Sequence, residues 1–426
     1  MRLLRKITAA LMLMTSAPTF AEVTFDSSFE CGNATAFRQI DPATWEFEIE
    51  QDTASSDRQW YYFSVNGAAG QEITFRLKGI EETNVKSHWK TARPVFSTDN
   101  GETWAPAPGA TSATDDVYTF THRFTAASER IAFHYPYTWT LAQRRIAEWD
   151  AHPDAELTTI GKSVEGRPIQ KITITDATSK PRDGKLGFWL VARQHSAEVT
   201  ASYTMDAFMD FLLSDEPEAI QLRKKAVINT VPMANPDGVV AGNYRDNIRG
   251  VNLNRVWNKP SPETSPEILA ITAAIDAWVA EGNPYQLFAD IHSTAGPRPH
   301  FAYHAGPSQR PALYANPAHY NRDLRDFLML VNDFAPHFDN TRGGGASAET
   351  TIAQNHQRVV HGAMSFTFEG SYNRQNHGPN AKEPMTLKQH QDVGIALAKA
   401  MVTYFELGTE GAPAAGATEG AAESSN

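Results

Sequence analysis

From Val23 to about Tyr135, apolar and polar residues alternate in short runs broken by Gly, Asn, Asp and Pro. The segments 44–52 (TWEFEIEQD), 58–65 (RQWYYFSV), 71–79 (QEITFRLKG) and 116–125 (DVYTFTHRFT) are rich in aromatic and β-branched types. That is the period-two signature of strands with one wet face. No helical period intervenes, so residues 22–135 are expected to form an all-β sandwich. The run Trp60-Tyr61-Tyr62-Phe63 reads as its core rather than a binding face.

Past residue 136 the pattern changes. Strand-like runs at 185–193, 226–233, 286–293 and 363–370 now alternate with helical spacing, as in Met205, Phe208, Met209, Leu212 and Leu213, or Ile268, Ile271, Ala274 and Ile275. Strands separated by helices predict an α/β domain over 136–407, with a mixed, mainly parallel sheet flanked by helices and a closing helix at 387–406. The stretch 408–426 is small, polar and acidic and reads as a disordered tail.

Composition narrows the function classes. A formal net charge of −11 argues against a phosphate-backbone binder, so no nucleic-acid partner is expected. The single cysteine, Cys31, rules out an intrachain disulfide and a cysteine-rich metal site, and reads as a small hydrophobe. Any metal must use histidines and carboxylates. At the start of the chain Arg2, Arg5 and Lys6 precede the short apolar run Ile7–Ala17 and the small-residue stretch Thr19-Phe20-Ala21. Residues 1–21 therefore read as a signal peptide. A periplasmic or secreted protein is expected, with no membrane insertion after cleavage, since no later run reaches about 18 apolar residues.

The candidate chemistry sits where the α/β strands end. His195 and Glu198, in RQHSAE, can aim one nitrogen and one oxygen at a common ion, although an HxxE by itself is a weak signal. His292 follows the apolar run after Tyr285, at another strand end, where open α/β sheets place their ligands. A His2Glu set with an open fourth position is the catalytic zinc arrangement, and it would also accept cobalt. Glu369, at the end of SFTFEG, could serve as a general base. The stretch 243–257 holds Arg245, Arg249 and Arg255 among Asn and Gly, as either solvated charges or carboxylate clamps. The rival pair His300 and His304 lacks the Glu of HExxH and reads as surface histidines.

Taken in order, HxxE, NPDG (235–238), GNYR, GVNLNRVW, DIH and TFE resemble the zinc metallocarboxypeptidases of the carboxypeptidase A/B type. The residues around these motifs are most similar to the cytosolic-carboxypeptidase-like branch, whose members carry a β-sandwich ahead of the peptidase domain. The resemblance implies one zinc held by His195, Glu198 and His292, with Glu369 activating water and returning its proton to the leaving amine. It implies that Arg245 stabilises the oxyanion and that Asn254 and Arg255 hold the free α-carboxylate of a peptide substrate. Two departures stand out. Asn252 replaces the Asp that usually accepts from the first zinc histidine, so no negative charge is supplied there. No Tyr occurs between Tyr320 and Tyr372, the segment where a substrate-capping tyrosine is sought.

The branch is associated with acidic C-terminal residues, and Arg342, Arg358, His361 and Arg374 are the cations that could line such a pocket. An exported metallocarboxypeptidase is the expected function. The alternatives are a zinc amidase of the same fold acting on cell-wall peptides or N-acyl amino acids, and a non-catalytic peptide-binding relative. Retention of Glu369 with all three ligands speaks against a pure binder.

Overall fold

In the computed structural model the described residues are 22–109, 111–178, 184–294, 300–304, 324–336, 349–372 and 385–407. The expected signal peptide, the tail, Arg342 and Arg374 lie outside them. The first part is two five-stranded sheets facing one another. One orders Thr24–Asp26, Tyr62–Asn66, Ser128–Ala132, Val95–Ser97 and Ala105–Pro106. The other orders Thr35–Asp41, Thr44–Glu48, Glu72–Lys78, Val117–Arg123 and Thr111–Thr114.

Between the sheets, Phe63 of the first meets Phe47 and Phe75 of the second at ring-centroid distances of 5.1 and 5.8 Å. Trp60, Tyr61, Tyr62 and Phe63 are all buried although consecutive residues of a strand point to opposite faces. The reason is that the outward face is covered as well. Trp60 donates its indole N–H to the Cys31 carbonyl (2.8 Å), and one continuous apolar cluster joins the sandwich to Ala197, Val199, Met233, Val239, Tyr244 and Tyr372. The aromatic run is core, shared with the second domain.

That second domain is a seven-stranded sheet among the described residues, in the order Ala155–Lys162, Pro168–Ile174, Ala226–Val231, Leu186–Ala192, Leu287–Thr294, Met364–Ser371 and Phe301–His304. Its four central strands run parallel; the pairings at both edges are antiparallel. The central strands match the apolar runs read from sequence. The strands of both antiparallel edges were missed: Phe301–His304 has only four residues, and Ala155–Lys162 and Pro168–Ile174 mix polar residues through their runs and carry a weaker pattern.

Period two sorts the side chains between two helical layers. Phe188, Leu190 and Ala192 face the helices Val199–Leu212, Leu324–Phe334 and Leu387–Tyr404. Trp189 and Val191 face the helix Pro266–Ala280 and the turn that carries Leu253 and Trp257. On Leu287–Thr294 the same rule puts Phe288 on the second face, and Asp290 and His292 continue that row toward the carboxyl end. Among the described residues no helix is long and apolar enough to cross a membrane.

His300 and His304 correct the sequence reading. They are 0% and 4% exposed, and Phe301–His304 pairs antiparallel with Met364–Ser371. His300 Nδ1 accepts the Ser371 backbone N–H at 2.9 Å. These histidines are buried structural groups, not surface ones.

One buried acid makes stability depend on pH. Glu267, near the start of Pro266–Ala280, is fully buried and accepts two long bonds, from Val164 N–H and Asn247 Nδ2, each 3.4 Å. Burial pushes its carboxyl up from 4.5 to about 7, with hydrogen bonds opposing. The native state therefore holds this proton more tightly than the unfolded chain. Its contribution is complete below pH 4.5 and is lost as pH rises through about 7. That amounts to about 3 kcal/mol at 1.36 kcal/mol per pKa unit. Glu267→Gln is expected to raise the Tm relative to the parent at pH 8 by several degrees more than at pH 4.5. Equal Tm differences at both pH values would disprove the assignment.

Candidate metal centre and active site

Sheet register brings the key groups together. In the parallel pair Leu287–Thr294 and Met364–Ser371, His292 lies opposite Glu369 and Asp290 opposite Thr367. Register partners on parallel strands share a face about 4.8 Å apart, so the imidazole and the carboxylate stand side by side. His195 and Glu198 come from the turn that leaves Leu186–Ala192 and enters the helix Val199–Leu212. Arg193, in the left-handed region at φ 58°, starts that turn, and its buried guanidinium donates to the Ser196 carbonyl (Nε, 3.1 Å) and to Ser202 Oγ (2.9 Å).

His195, Glu198 and His292 converge, all less than 5% exposed. His195 Nδ1 is 2.8 Å from Glu198 Oε1, His292 Nδ1 is 2.7 Å from Glu198 Oε2, and the two Nδ1 atoms are 3.2 Å apart. The far side of each ring fixes which nitrogen faces inward. His195 Nε2 donates to Asn252 Oδ1 at 3.0 Å, and His292 Nε2 donates to Asp290 Oδ1 at 2.9 Å. Both Nδ1 atoms thus face one gap beside a carboxylate, a donor set that suits a cation, which would take the place of a proton there. Zinc bonds of about 2.0–2.2 Å imply tetrahedral donor spacings on the order of 3.3 Å, and the histidine pair matches this.

Charges in the cluster pull on one another. Burial, reinforced by Arg245, lowers His195 to about 4. Burial also opposes charge on His292, but Asp290 and Glu198 override it and raise the imidazole well above its usual value. Glu198 is held well below the ordinary carboxylate range, since the two histidines outweigh burial. Glu369 goes the other way: burial first, then Glu198, push it up to about 8. Two carboxylates in one site are thereby driven apart, one kept ionised among the ligand atoms and the other left ready to hold a proton.

A cavity of about 360 Å³ opens over this cluster, lined by His195, Glu198, His292 and Glu369 and by Arg245, Asn254 and Arg255. All the expected site residues therefore face one space or, for Asn252, support it from behind. Arg249 does not line the cavity and is exposed. Asn254 also braces the cavity floor, because its Nδ2 donates to Asp290 Oδ2 (3.0 Å) and its Oδ1 accepts from Ala353 N–H (2.8 Å). Arg255 spends one donor on the Asn254 carbonyl (2.7 Å), and a guanidinium has five. Its pKa is lowered by burial and by the neighbouring Arg245. Of the other cations, His361 lies 3.0 Å from Asp276 and neither it nor Arg358 lines the cavity.

Three contributors escaped the sequence reading. Asp290, fully buried, receives bonds from Gln194 Nε2 (2.5 Å), Asn254 and His292. It supplies behind His292 the negative charge that Asn252 does not supply behind His195. Its place two residues before His292 on a strand was the available clue. Tyr303 lines the cavity from the edge strand, outside the segment in which a tyrosine was sought. Val85 reaches the cavity from the β-sandwich, which no sequence signal announced.

The two histidine supports make opposite predictions for zinc affinity, measured by competition against a chelating dye. Asp290→Asn should weaken binding by about 10–100-fold, and Asn252→Asp should strengthen it by about tenfold. An unchanged affinity in Asp290→Asn would show that this carboxylate does not support the ligand.

The same architecture and motifs occur in known proteins. A family model described as zinc carboxypeptidase matches residues 146–377, and one described as cytosolic carboxypeptidase N-terminal domain matches 25–135. The chain is 28% identical to cytosolic carboxypeptidase 6 of Caenorhabditis elegans over 293 residues, covering 65% of this chain and 63% of that one. An uncharacterized protein of Zymomonas mobilis is 26% identical over 374 residues, 87% of this chain and 93% of its own. Cytosolic carboxypeptidase 1 of Danio rerio is 25% identical, but the chain spans only 31% of its length. Among solved structures, a metallo-carboxypeptidase from Burkholderia cenocepacia is similar with a TM-score of 0.80 and 25% identity, covering 91% of this chain and 99% of that one. One from Pseudomonas aeruginosa, in complex with (2-guanidinoethylmercapto)succinic acid, gives 0.79 and 25%, covering 90% and 99%.

Proposed function

The chain belongs to the zinc carboxypeptidase family, and from that premise we propose how its residues divide the work and what they act on. It is a metallocarboxypeptidase that uses one zinc, and its substrates are peptides. His195, Glu198 and His292 would hold the zinc, which when bound supplies Lewis-acid polarisation and lowers the pKa of water toward about 7. Arg255, with Asn254 beside it, grips the free α-carboxylate and sets the last peptide bond over the ligand cluster. Arg245 donates to the scissile carbonyl oxygen as negative charge builds there. Glu369 takes a proton from the attacking water and passes it to the departing amine. The observation that carries this reading is one carboxylate, Glu369, standing beside the three-donor cluster without belonging to it, with two guanidinium groups facing the same cavity.

For the departing residue we propose an acidic preference, which rests on the family resemblance: of the cations considered for its pocket, Arg358 and His361 do not line the cavity, and Arg342 and Arg374 lie outside the described residues. The ligand of the Pseudomonas neighbour carries a guanidino arm beside two carboxylates, so C-terminal Arg or Lys is the rival to include. Export, to the periplasm or medium, is proposed on the pattern of residues 1–21. The relatives from Caenorhabditis elegans and Danio rerio bear the word cytosolic, so the N-terminal residue of the protein recovered from each fraction is the test. Full-length chain confined to the cytosol would overturn export.

The activity is tested with peptides ending in Glu, Asp, Leu, Arg or Lys, each run beside its C-terminal amide, with and without a chelator. Chelator-sensitive release from the free acids alone, fastest for Glu or Asp, is the expected result. Comparable turnover of Leu, Lys and Glu would end the acidic reading, and release from the amides would point to an amidase instead.

A further inference from the structure

Arg245 belongs to the catalytic domain, yet the backbone that carries it is held by the β-sandwich. Asp52, 3% exposed, accepts three consecutive backbone N–H groups: Tyr244 at 2.5 Å, Arg245 at 2.7 Å and Asp246 at 2.9 Å. On either side, Thr53 N–H and Oγ bond to Asn243 Oδ1, and Asn33 Nδ2 donates to the Gly242 carbonyl. Asp57 Oδ2 lies 4.0 Å from Arg245 Nε. Glycines permit the close fit. A Cβ on Gly242 would come within 2.4 Å of the Gly32 carbonyl oxygen, and one on Gly250 within 2.2 Å of the Ala54 carbonyl oxygen, both at positive φ. Residues 242–250 thus lie directly on residues 32–33 and 52–54.

Three donors on one carboxylate define the orientation of three peptide planes, and the middle one is the root of the Arg245 side chain. A carboxylate with four lone-pair sites can accept all three; no neutral side chain of that size can. Burial pushes Asp52 upward, opposed by those same three bonds, which is the cost of placing an acid here. We propose that Asp52 is a positioning residue for the reaction: by cradling the backbone of 244–246, the β-sandwich aims the Arg245 guanidinium at the scissile carbonyl. The catalytic domain is therefore incomplete without its neighbour, which also contributes Val85 to the cavity wall. The proposal rests on the role given to Arg245 above.

The test is a double-mutant cycle with full steady-state kinetics on the full chain. Asp52→Ala is expected to lower kcat by about 10–50-fold with KM within about threefold, and Asp52→Asn, which keeps the shape but turns a donor toward a backbone N–H, by about 3–10-fold. In an Arg245→Ala background Asp52→Ala should cost less than about threefold, since the group it aims is gone. Asn33→Ala, which loosens the same junction away from Arg245, should lower the Tm but leave kcat within about twofold. Equal kcat losses from Asp52→Ala with and without Arg245 would reduce Asp52 to a domain dock and overturn the proposal. If Asp52→Ala does not fold, the same cycle with Asp52→Asn decides it by the same criterion. A kcat unaffected by Arg245→Ala alone would instead refute the role of Arg245, and the proposal with it.

Discussion

Glu369→Gln is expected to lower kcat on free-acid peptides by about three orders of magnitude while the protein still binds one zinc. The carboxamide has nearly the same shape but cannot accept the proton that the attacking water must lose. Glu369 lies opposite His292 in the sheet register and is not one of the three converging donors, so its loss should spare the metal. Burial and Glu198 already push this carboxyl up to about 8, which marks it as a group that exchanges a proton rather than one held as a fixed charge. Metal content by atomic absorption and kcat by amino-acid release are measured on the same sample. A kcat within tenfold of the parent, with zinc retained, would remove Glu369 from the mechanism. Lost zinc would place it among the ligands.

Arg245→Ala should cost about 3–4 kcal/mol of transition-state stabilisation, or 10²–10³-fold, and the loss should appear in kcat. Negative charge reaches the carbonyl oxygen only as water adds to the carbonyl carbon, so ground-state binding barely uses this guanidinium. Arg255→Ala provides the contrast. It faces the same cavity but would hold a carboxylate that is charged from the outset, so its loss should raise KM more than it lowers kcat. An Arg245→Ala variant with raised KM and normal kcat would exchange the two roles.

Much of this site was legible because it depends on local rules. Strand period and strand ends placed His292 and Glu369, and helical period placed the helix that follows Glu198. The family resemblance, not a local rule, set Asn252 behind His195, and the 3.0 Å contact is there. Asp290 could have been found by the same period-two argument, since it shares a face with His292. His300 and His304 misled because histidine spacing says nothing of burial. The edge strand that buries them, Phe301–His304, is too short and mixed in type to announce itself.

The sequence by itself determined the two domain types, the strands that carry the chemistry and the order of the ligating and acidic residues along them. Each of these follows from contacts within a few residues or from a repeating period. Only the tertiary structure decided that the β-sandwich is part of the active site. Asp52 meets Arg245 across 193 positions, and Val85 meets the cavity from the other domain. Such a meeting leaves no trace in local pattern, because it depends on how two separately patterned surfaces are packed, and a buried carboxylate is tolerated there only where that packing delivers the three backbone donors.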